Sequence, residues 1–358
     1  MTRLDDAGAL LSRDPGGMLA QVAGLPRQLE QALGRETAVR AAVGDLPRGG
    51  AFRELLVCGM GGSAIGGDYA AAWAAPHGAV VRVQRGYALP AGVDTSTLLV
   101  FSSYSGDTEE TLSGFAAAPA GTRRLCVTTG GRLGERAHAQ GVPVVLLPPG
   151  LQPRAALGHS LGALLWVLHA SGLVVDSPAT ALAAAVRGLD ESVRTLAPEV
   201  PQERNRAKQL ATLLVEQLPW ICTGNGFLAA VGQRWKSQLH ENAETMALAS
   251  VLPEMHHNEI MAPPRPASVC RRTRLLFLVD RDETPQVRRR LQLTAELLAS
   301  QVAGSEWIET DGDTSLERML QATLLGDFTS VYLAFLHGVD PTAVGRIQEL
   351  KARLRAPH

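Results

Sequence analysis

Two loops in the first half of this 358-residue sequence carry residue types that could hold an anion. Gly59-Met60-Gly61-Gly62-Ser63-Ala64-Ile65-Gly66-Gly67 follows an apolar run and opens an Ala-rich one. Glycines permit a tight turn and let backbone amides approach a ligand, while a helix start adds partial positive charge. That chemistry suits a phosphate. The second loop, Ser102-Ser103-Tyr104-Ser105-Gly106-Asp107-Thr108-Glu109-Glu110-Thr111, is rich in hydroxyls, which can wrap the oxygens of a phosphate monoester. Alone, the glycine turn could serve only strand–helix packing, and the hydroxyl loop could be an N-cap and a polar turn. The first loop also satisfies the dinucleotide spacing G-x-G-x-x-A. Against that, the next strand ends in Arg82-Val83-Gln84-Arg85, with no acid to meet a ribose hydroxyl, although an Arg could meet a 2′-phosphate. Taken together, the two loops favour phosphate.

Short β-type runs alternate with Ala-rich stretches around these loops, the pattern of parallel strands joined by crossover helices. The predicted strands are Glu54 to Met60, Val80 to Arg85, Thr97 to Tyr104, Arg124 to Thr129 and Val142 to Leu147. Ile65 to Trp73, Glu109 to Ala118 and Arg132 to Gln140 supply the crossovers. Both loops then lie at strand C-terminal ends, where a doubly wound α/β sheet binds ligands. Met18, Val22, Leu25, Leu29 and Leu33 predict a helical arm that Pro26 kinks or divides. The apolar, Pro-free stretch Ala155 to Ser171 gives way to a polar segment, Ser177 to Lys208, holding Pro178, Pro198 and Pro201. The domain boundary is placed between these stretches, giving domains 1–175 and 176–358. The second half repeats the pattern: a strand from Leu218 to Cys222, a helix from Ala229 to Ala247, strands at Arg274 to Asp280 and Ser305 to Glu309, and helices at Leu325 to Leu336 and Pro341 to Leu354. One shift lays Val57–Ser63 onto Ile221–Phe227, a weak hint of duplication in which Phe227 replaces the hydroxyl of Ser63.

With 34 basic and 35 acidic residues, no net field favours nucleic acid or an anionic membrane. Apolar stretches are interrupted before the roughly 20 residues a bilayer requires, so no membrane span is expected. Met1-Thr2-Arg3-Leu4-Asp5-Asp6 turns acidic too early for a signal peptide, and the expected compartment is the cytoplasm. Cys58, Cys126, Cys222 and Cys270 are widely spaced and predict buried reduced thiols; the histidines lack ligand spacing, so no metal is expected.

At this point the motifs resemble a family. The Gly-Met-Gly-Gly-Ser turn, the Ser-Tyr-Ser-Gly-Asp-Thr-Glu-Glu-Thr loop, Gln152-Pro153-Arg154-Ala155-Ala156, Gln238-Leu239-His240-Glu241-Asn242, His257-Asn258-Glu259-Ile260 and the run from Gly326-Asp327-Phe328 to Lys351 look like the bifunctional phosphoglucose/phosphomannose isomerases, two-domain sugar isomerase (SIS) proteins. The resemblance implies two SIS-type doubly wound domains and aldose–ketose interconversion of fructose 6-phosphate with glucose 6-phosphate and mannose 6-phosphate through a cis-enediol, with no cofactor. It implies that Ser63, Ser103, Ser105 and Thr108, with the backbone of Gly61 and Gly62, hold the phosphate. Glu241 is then the base that moves a proton between C1 and C2, a role the helical pattern alone would not assign. His257 opens the sugar ring and comes from the neighbouring subunit, which implies a homodimer. Arg154 stabilises the enediolate, since guanidinium stays charged, and Lys351 stands beside the substrate oxygens. His240 replaces an expected Asn, and Gly158-His159 stands where bulkier neighbours are usual. Either departure could change substrate preference, and Thr342 could contribute to the choice of C2 epimer.

Two other functions predict different behaviour. A non-catalytic sugar-phosphate sensor would keep the phosphate loops without a working base; Glu241 and His257 speak for catalysis, and no helix-turn-helix is appended. A nucleotide-dependent oxidoreductase would bind NADPH tightly.

Overall fold

A computed structural model of the chain describes residues 4–44 and 52–355. Met1, Thr2 and Arg3, part of the N-terminal segment read above, lie outside them. In chain order the elements are α1 (Ala7–Ser12), α2 (Met18–Ala23), α3 (Leu25–Leu33), α4 (Glu36–Val43), β1 (Glu54–Cys58), α5 (Gly61–Ala74), β2 (Val80–Gln84), β3 (Thr97–Ser102), α6 (Glu109–Ala116), β4 (Arg123–Thr128), α7 (Gly131–Ala139), β5 (Val144–Leu146), α8 (Leu157–Ala170) and α9 (Ala179–Leu196). They continue with α10 (Arg206–Leu214), β6 (Leu218–Gly224), α11 (Phe227–Ala243), β7 (Leu248–Leu252), α12 (Ala267–Cys270), β8 (Thr273–Val279), α13 (Pro285–Leu298), β9 (Gly304–Glu309), α14 (Ser315–His337) and α15 (Gly345–Arg355).

The chain divides into two compact units. The first-sheet unit comprises the described parts of Gly24–Glu191, together with Asp311–Gln321. Its five parallel strands run in the order β2-β1-β3-β4-β5. β1 and β3 are buried along their whole length, which is why they read as continuous apolar runs instead of alternating ones. One face packs Leu56, Cys58, Leu99 and Phe101 against Leu112 and Phe115 of α6 and Leu133 of α7. α5 and α8 pack closely on each other, with Gly66 against Ser160. The order reverses between β1 and β3, so the two anion-type loops leave the sheet at its topological switch point.

The second-sheet unit comprises the described parts of Met1–Ala23, Ser192–Thr310 and Ala322–His358. Its parallel strands run β7-β6-β8-β9, with Trp220, Cys222, Leu275, Phe277 and Leu291 in the core. The α/β class with parallel sheets flanked by helices is therefore present in both units.

Several boundaries differ from expectation. The helix expected to reach Ala247 stops at Ala243, because Glu244 takes a left-handed conformation (φ 49°) and frees Leu248–Leu252 to pair beside β6. The polar segment after Ser177 holds α9, bracketed by Pro178 and Pro198 at positions a helix tolerates. Pro26 divides the arm as expected, standing in the first turn of α3. A single cut between residues 175 and 176 does not reproduce the compact units, since the arm before Gly24 groups with the second half. Asp5 Oδ1 accepts from Gln202 N at 2.8 Å, and Arg13 donates to the Phe335 carbonyl at 3.1 Å. Helix α14 is long and apolar enough to cross a bilayer, but 83% of its most apolar window is buried in the protein, the mark of a core helix. All four cysteines are buried free thiols, and burial pushes Cys58 and Cys126 up to about 12.

Candidate active site

In the first-sheet unit a chain of contacts joins seven of the residues singled out from sequence. β1 ends at Cys58, and Gly61 (φ 50°) starts α5 with Gly62 and Ser63 in its first turn. A Cβ on Gly62 would stand 2.6 Å from the Pro153 carbonyl oxygen and 3.2 Å from Arg154 Cα, so only glycine lets the helix start touch the Arg154 turn. Ser63 is buried, and its Oγ accepts from Tyr104 N at 3.2 Å, tying the glycine turn to the hydroxyl loop. Within that loop Ser103 Oγ donates to Thr108 Oγ1 (2.9 Å) and accepts from Gly106 N (3.1 Å). Ser105 is exposed, with Oγ accepting from Asp107 N at 3.2 Å. Two helix starts, α5 and α6, thus lie beside three serines and a threonine, a setting that favours an anion.

Arg154 sits in a short 3-10 turn, Pro153–Ala155, and is only 4% exposed. The turn is held from both sides. Tyr104 Oη donates to the Pro148 carbonyl (2.8 Å) and accepts from Leu151 N (3.1 Å). Gln28 of α3 donates to the Ala155 carbonyl at 2.7 Å and accepts from Gly158 N at 2.9 Å. Gly158 is required for this clamp, because a Cβ there would lie 2.7 Å from Gln28 Cβ. One departure from the family pattern thus has a packing cause. Its neighbour His159 is buried with Nδ1 unpartnered; burial, and then the nearby Arg35 charge, push its pKa down to about 4.

The second-sheet unit carries Glu241, His257 and Lys351 on three separate elements. Glu241 is half-buried in the last turn of α11, while Leu228, Val231, Trp235 and Leu239 bury the helix's apolar side. His257 is exposed at the end of the 3-10 turn Glu254–His257. The residue before it is tightly fixed: Arg290 Nη1 lies 3.1 Å from His256 Nδ1, and His256 Nε2 lies 2.8 Å from Thr294 Oγ1, which itself donates to the Arg290 carbonyl. A guanidinium can only donate, so Nδ1 accepts and Nε2 carries the proton. Burial, Arg290 and His257 all push this imidazole's pKa down, keeping it neutral. The turn is further tied by Trp220 Nε1 donating to Ser250 Oγ (2.8 Å), whose hydroxyl donates to Glu259. Lys351 is exposed on α15. Thr342 packs against Gly16, and its backbone N–H donates to Asp340 Oδ1 at 2.8 Å. His240 Nε2 accepts from Ala247 N at 3.1 Å, tying the end of α11 to the start of β7.

Sequence reasoning missed Gln28, Tyr104, Arg290 and Thr294. Tyr104 lay inside the hydroxyl loop, but Gln28 meets its partners 127 and 130 residues away and leaves no local trace. Among the described residues no group of three His, Cys, Asp or Glu side chains could hold a metal ion. A groove of about 800 Å³ in the second-sheet unit, lined by Gln217, Glu244, Thr245, Arg272 and His337 among others, includes none of the proposed site residues.

Comparison with known proteins bears on this arrangement. The family model described as the bacterial phospho-glucose isomerase C-terminal SIS domain matches residues 203–354. The bifunctional phosphoglucose/phosphomannose isomerase of Caldicellulosiruptor bescii is 37% identical over 343 residues, covering 94% of this chain and 98% of that protein. The protein of the same description from Aquifex aeolicus is 33% identical over 310 residues, 85% of this chain and 91% of its own. A crystal structure of a hypothetical protein from Thermus thermophilus matches with a TM-score of 0.71 over 98% of this chain and 94% of that one; at 17% identity this is a likeness of fold.

Proposed function

The chain belongs to the family of bifunctional phosphoglucose/phosphomannose isomerases, and from that premise we propose that it interconverts fructose 6-phosphate with glucose 6-phosphate and mannose 6-phosphate. The observation that carries this reading is the bond from Tyr104 N to Ser63 Oγ, which locks the glycine turn and the hydroxyl loop into one anion cradle beside the Arg154 turn. In this reading the amides of Gly61 and Gly62 and the hydroxyls of Ser63, Ser103, Ser105 and Thr108 hold the 6-phosphate. His257 moves a proton between the anomeric hydroxyl and the ring oxygen, opening the ring. Glu241 then removes the proton from C2 of the aldose, giving a cis-enediolate, and returns it to C1 to give the ketose. Arg154 stabilises the negative oxygen, where a fixed cation is most effective, and Lys351 stands beside the substrate oxygens. Reprotonation at either face of C2 yields glucose or mannose 6-phosphate.

Phosphate binding is thus assigned to the first half and proton transfer to the second, which keeps the expected functional division of the chain at residues 175 and 176. His257 is supplied by the neighbouring subunit of a homodimer, in the cytoplasm. The test is turnover of fructose 6-phosphate into each aldose, followed by separate coupled assays. Formation of both supports the proposal, and a protein that binds the sugar phosphate without turnover is a sensor instead. For the shared histidine, Glu241→Gln and His257→Ala subunits, each inactive alone, should recover part of the activity once exchanged into hybrid dimers. No recovery after confirmed exchange places His257 with its own subunit's Glu241.

A further inference from the structure

Helix α11 buries a polar stripe beside its apolar one. Arg234, Gln238 and Asn242 are spaced four residues apart, and all three are buried. The stripe meets α14. Arg234 Nε and Nη2 donate to Asp327 Oδ1 and Oδ2 at 3.0 and 2.6 Å. Asn242 Nδ2 donates to Ser330 Oγ at 2.9 Å, and that hydroxyl donates to the Asp327 carbonyl at 2.7 Å. Gln238 is near enough to favour the charged form of Asp327, although its Nε2 makes no hydrogen bond of ordinary geometry. Beside the stripe Trp235 Nε1 donates to the Ala322 carbonyl at 2.8 Å, packed over Gly326, where a Cβ would have no room.

Apolar helix contacts are non-directional and allow one helix to rotate or slide on another. A bidentate ion pair is directional, and a slip here would strand Arg234 or Asp327 as an unpaired charge in a dry core. Buried pairs are seldom the most stabilising choice for a core position, and their best-attested use is to set register. Glu241 is three residues beyond Gln238, about 60° around the helix from the stripe. We infer that the Arg234–Asp327 pair, with Asn242 and Ser330, is a positioning device that fixes the rotation and height of α11 and thereby the direction in which Glu241 presents its carboxylate. The inference rests on Glu241 being the base.

The experiment compares the full-length protein with the double variant Arg234→Met/Asp327→Leu, the milder Asp327→Asn, and Glu241→Gln. The apolar double variant should keep or raise Tm, lower kcat about tenfold or more towards both aldoses, and leave KM nearly unchanged, because small misplacements of a reacting group cost rate. A purely structural pair would lower Tm and leave the kcat of the folded fraction intact, and that result overturns the inference. If the double variant does not fold, Asp327→Asn decides: its Tm should fall because Arg234 loses its partner charge, a lowered kcat of the folded fraction at unchanged KM supports the device, and wild-type kcat removes it. If Glu241→Gln keeps full turnover, the base assignment itself fails, whichever way the other variants behave.

Discussion

The two strand–turn–helix units that begin each sheet, β1–α5 and β6–α11, share a topology and differ in what they place at the turn. β1 and β6 are both flanked by a parallel strand on each side, in the orders β2-β1-β3 and β7-β6-β8. After β1 the turn is closed by backbone and hydroxyl contacts: Gly62 meets Pro153, and Ser63 meets the amide of Tyr104. After β6 a side chain at Gly224 would meet the Glu283 carboxylate, and Phe227 opens α11 where Gly61 opens α5, with Ala229 in the third helical position that Ser63 holds in the first unit. The first turn is dressed for an anion, while the second has a carboxylate at its mouth. What the second unit offers is the far end of its helix, where Glu241 sits beside a stripe of buried polar side chains. On the proposed roles, one architecture serves binding at the start of a helix and proton transfer at the end of its counterpart.

The contrast breaks most decisively at Glu241. Replacing it with Gln keeps the shape and removes the base, so kcat for both aldoses should fall by about 10²–10⁴-fold, with KM nearly intact because the cradle is untouched. Equal turnover by variant and wild type in the coupled assay would take the base role away from Glu241.

Much of the first unit was legible in the sequence, and the reason is local chemistry. The strand ends, the glycine turn and the hydroxyl loop are each written within ten residues, and β1 and β3 show buried parallel strands as unbroken apolar runs. The second unit was less legible. The helical pattern runs on past Ala243, and only the left-handed turn at Glu244 stops it, so β7 went unseen. The Gln28 clamp and the Arg234–Asp327 pair join residues more than 90 apart in the chain, and a buried Arg reads like any solvated one. Glu241 itself has a surface pattern, and only the family motif singled it out.

One buried titratable group in each unit makes a further contrast. In the second, burial pushes the Asp327 carboxyl up, while Arg234 pulls it back towards the charged form. In the first, His159 has no partner at Nδ1, and burial and then Arg35 push its pKa down to about 4. An unfolded histidine titrates near 6.5, so below that pH the unfolded chain binds a proton the native one refuses, and stability falls as pH drops towards 4. Between pH 7 and pH 5 this should cost about 2 kcal/mol. His159→Gln should flatten that part of the profile by the same amount, read from urea midpoints at the two pH values. Parallel profiles for wild type and variant would mean that His159 is protonated inside the fold.

Within the cradle, Ser105 is the exposed hydroxyl, so its loss perturbs packing least. Ser105→Ala should raise KM for fructose 6-phosphate about tenfold, the worth of one hydrogen bond to a charged group, with a smaller change in kcat because the phosphate is held equally in ground and transition states. An unchanged KM would take Ser105 out of the cradle.

The smallest effect is expected where the comparison says nothing should happen. Ala229→Ser gives α11 a hydroxyl in its third position, as Ser63 has in α5, and a turn defined only by glycines and a serine would then gain phosphate affinity. The Glu283 carboxylate argues against it, because a phosphate dianion would approach a like charge at short range, and that repulsion outweighs one added hydrogen bond. Calorimetric titration of the variant with fructose 6-phosphate should therefore keep the wild-type stoichiometry per chain and the wild-type KM. A second binding event would show that the two turns differ by one hydroxyl alone, and that the carboxylate beside Gly224 has no part in keeping anions from the second sheet.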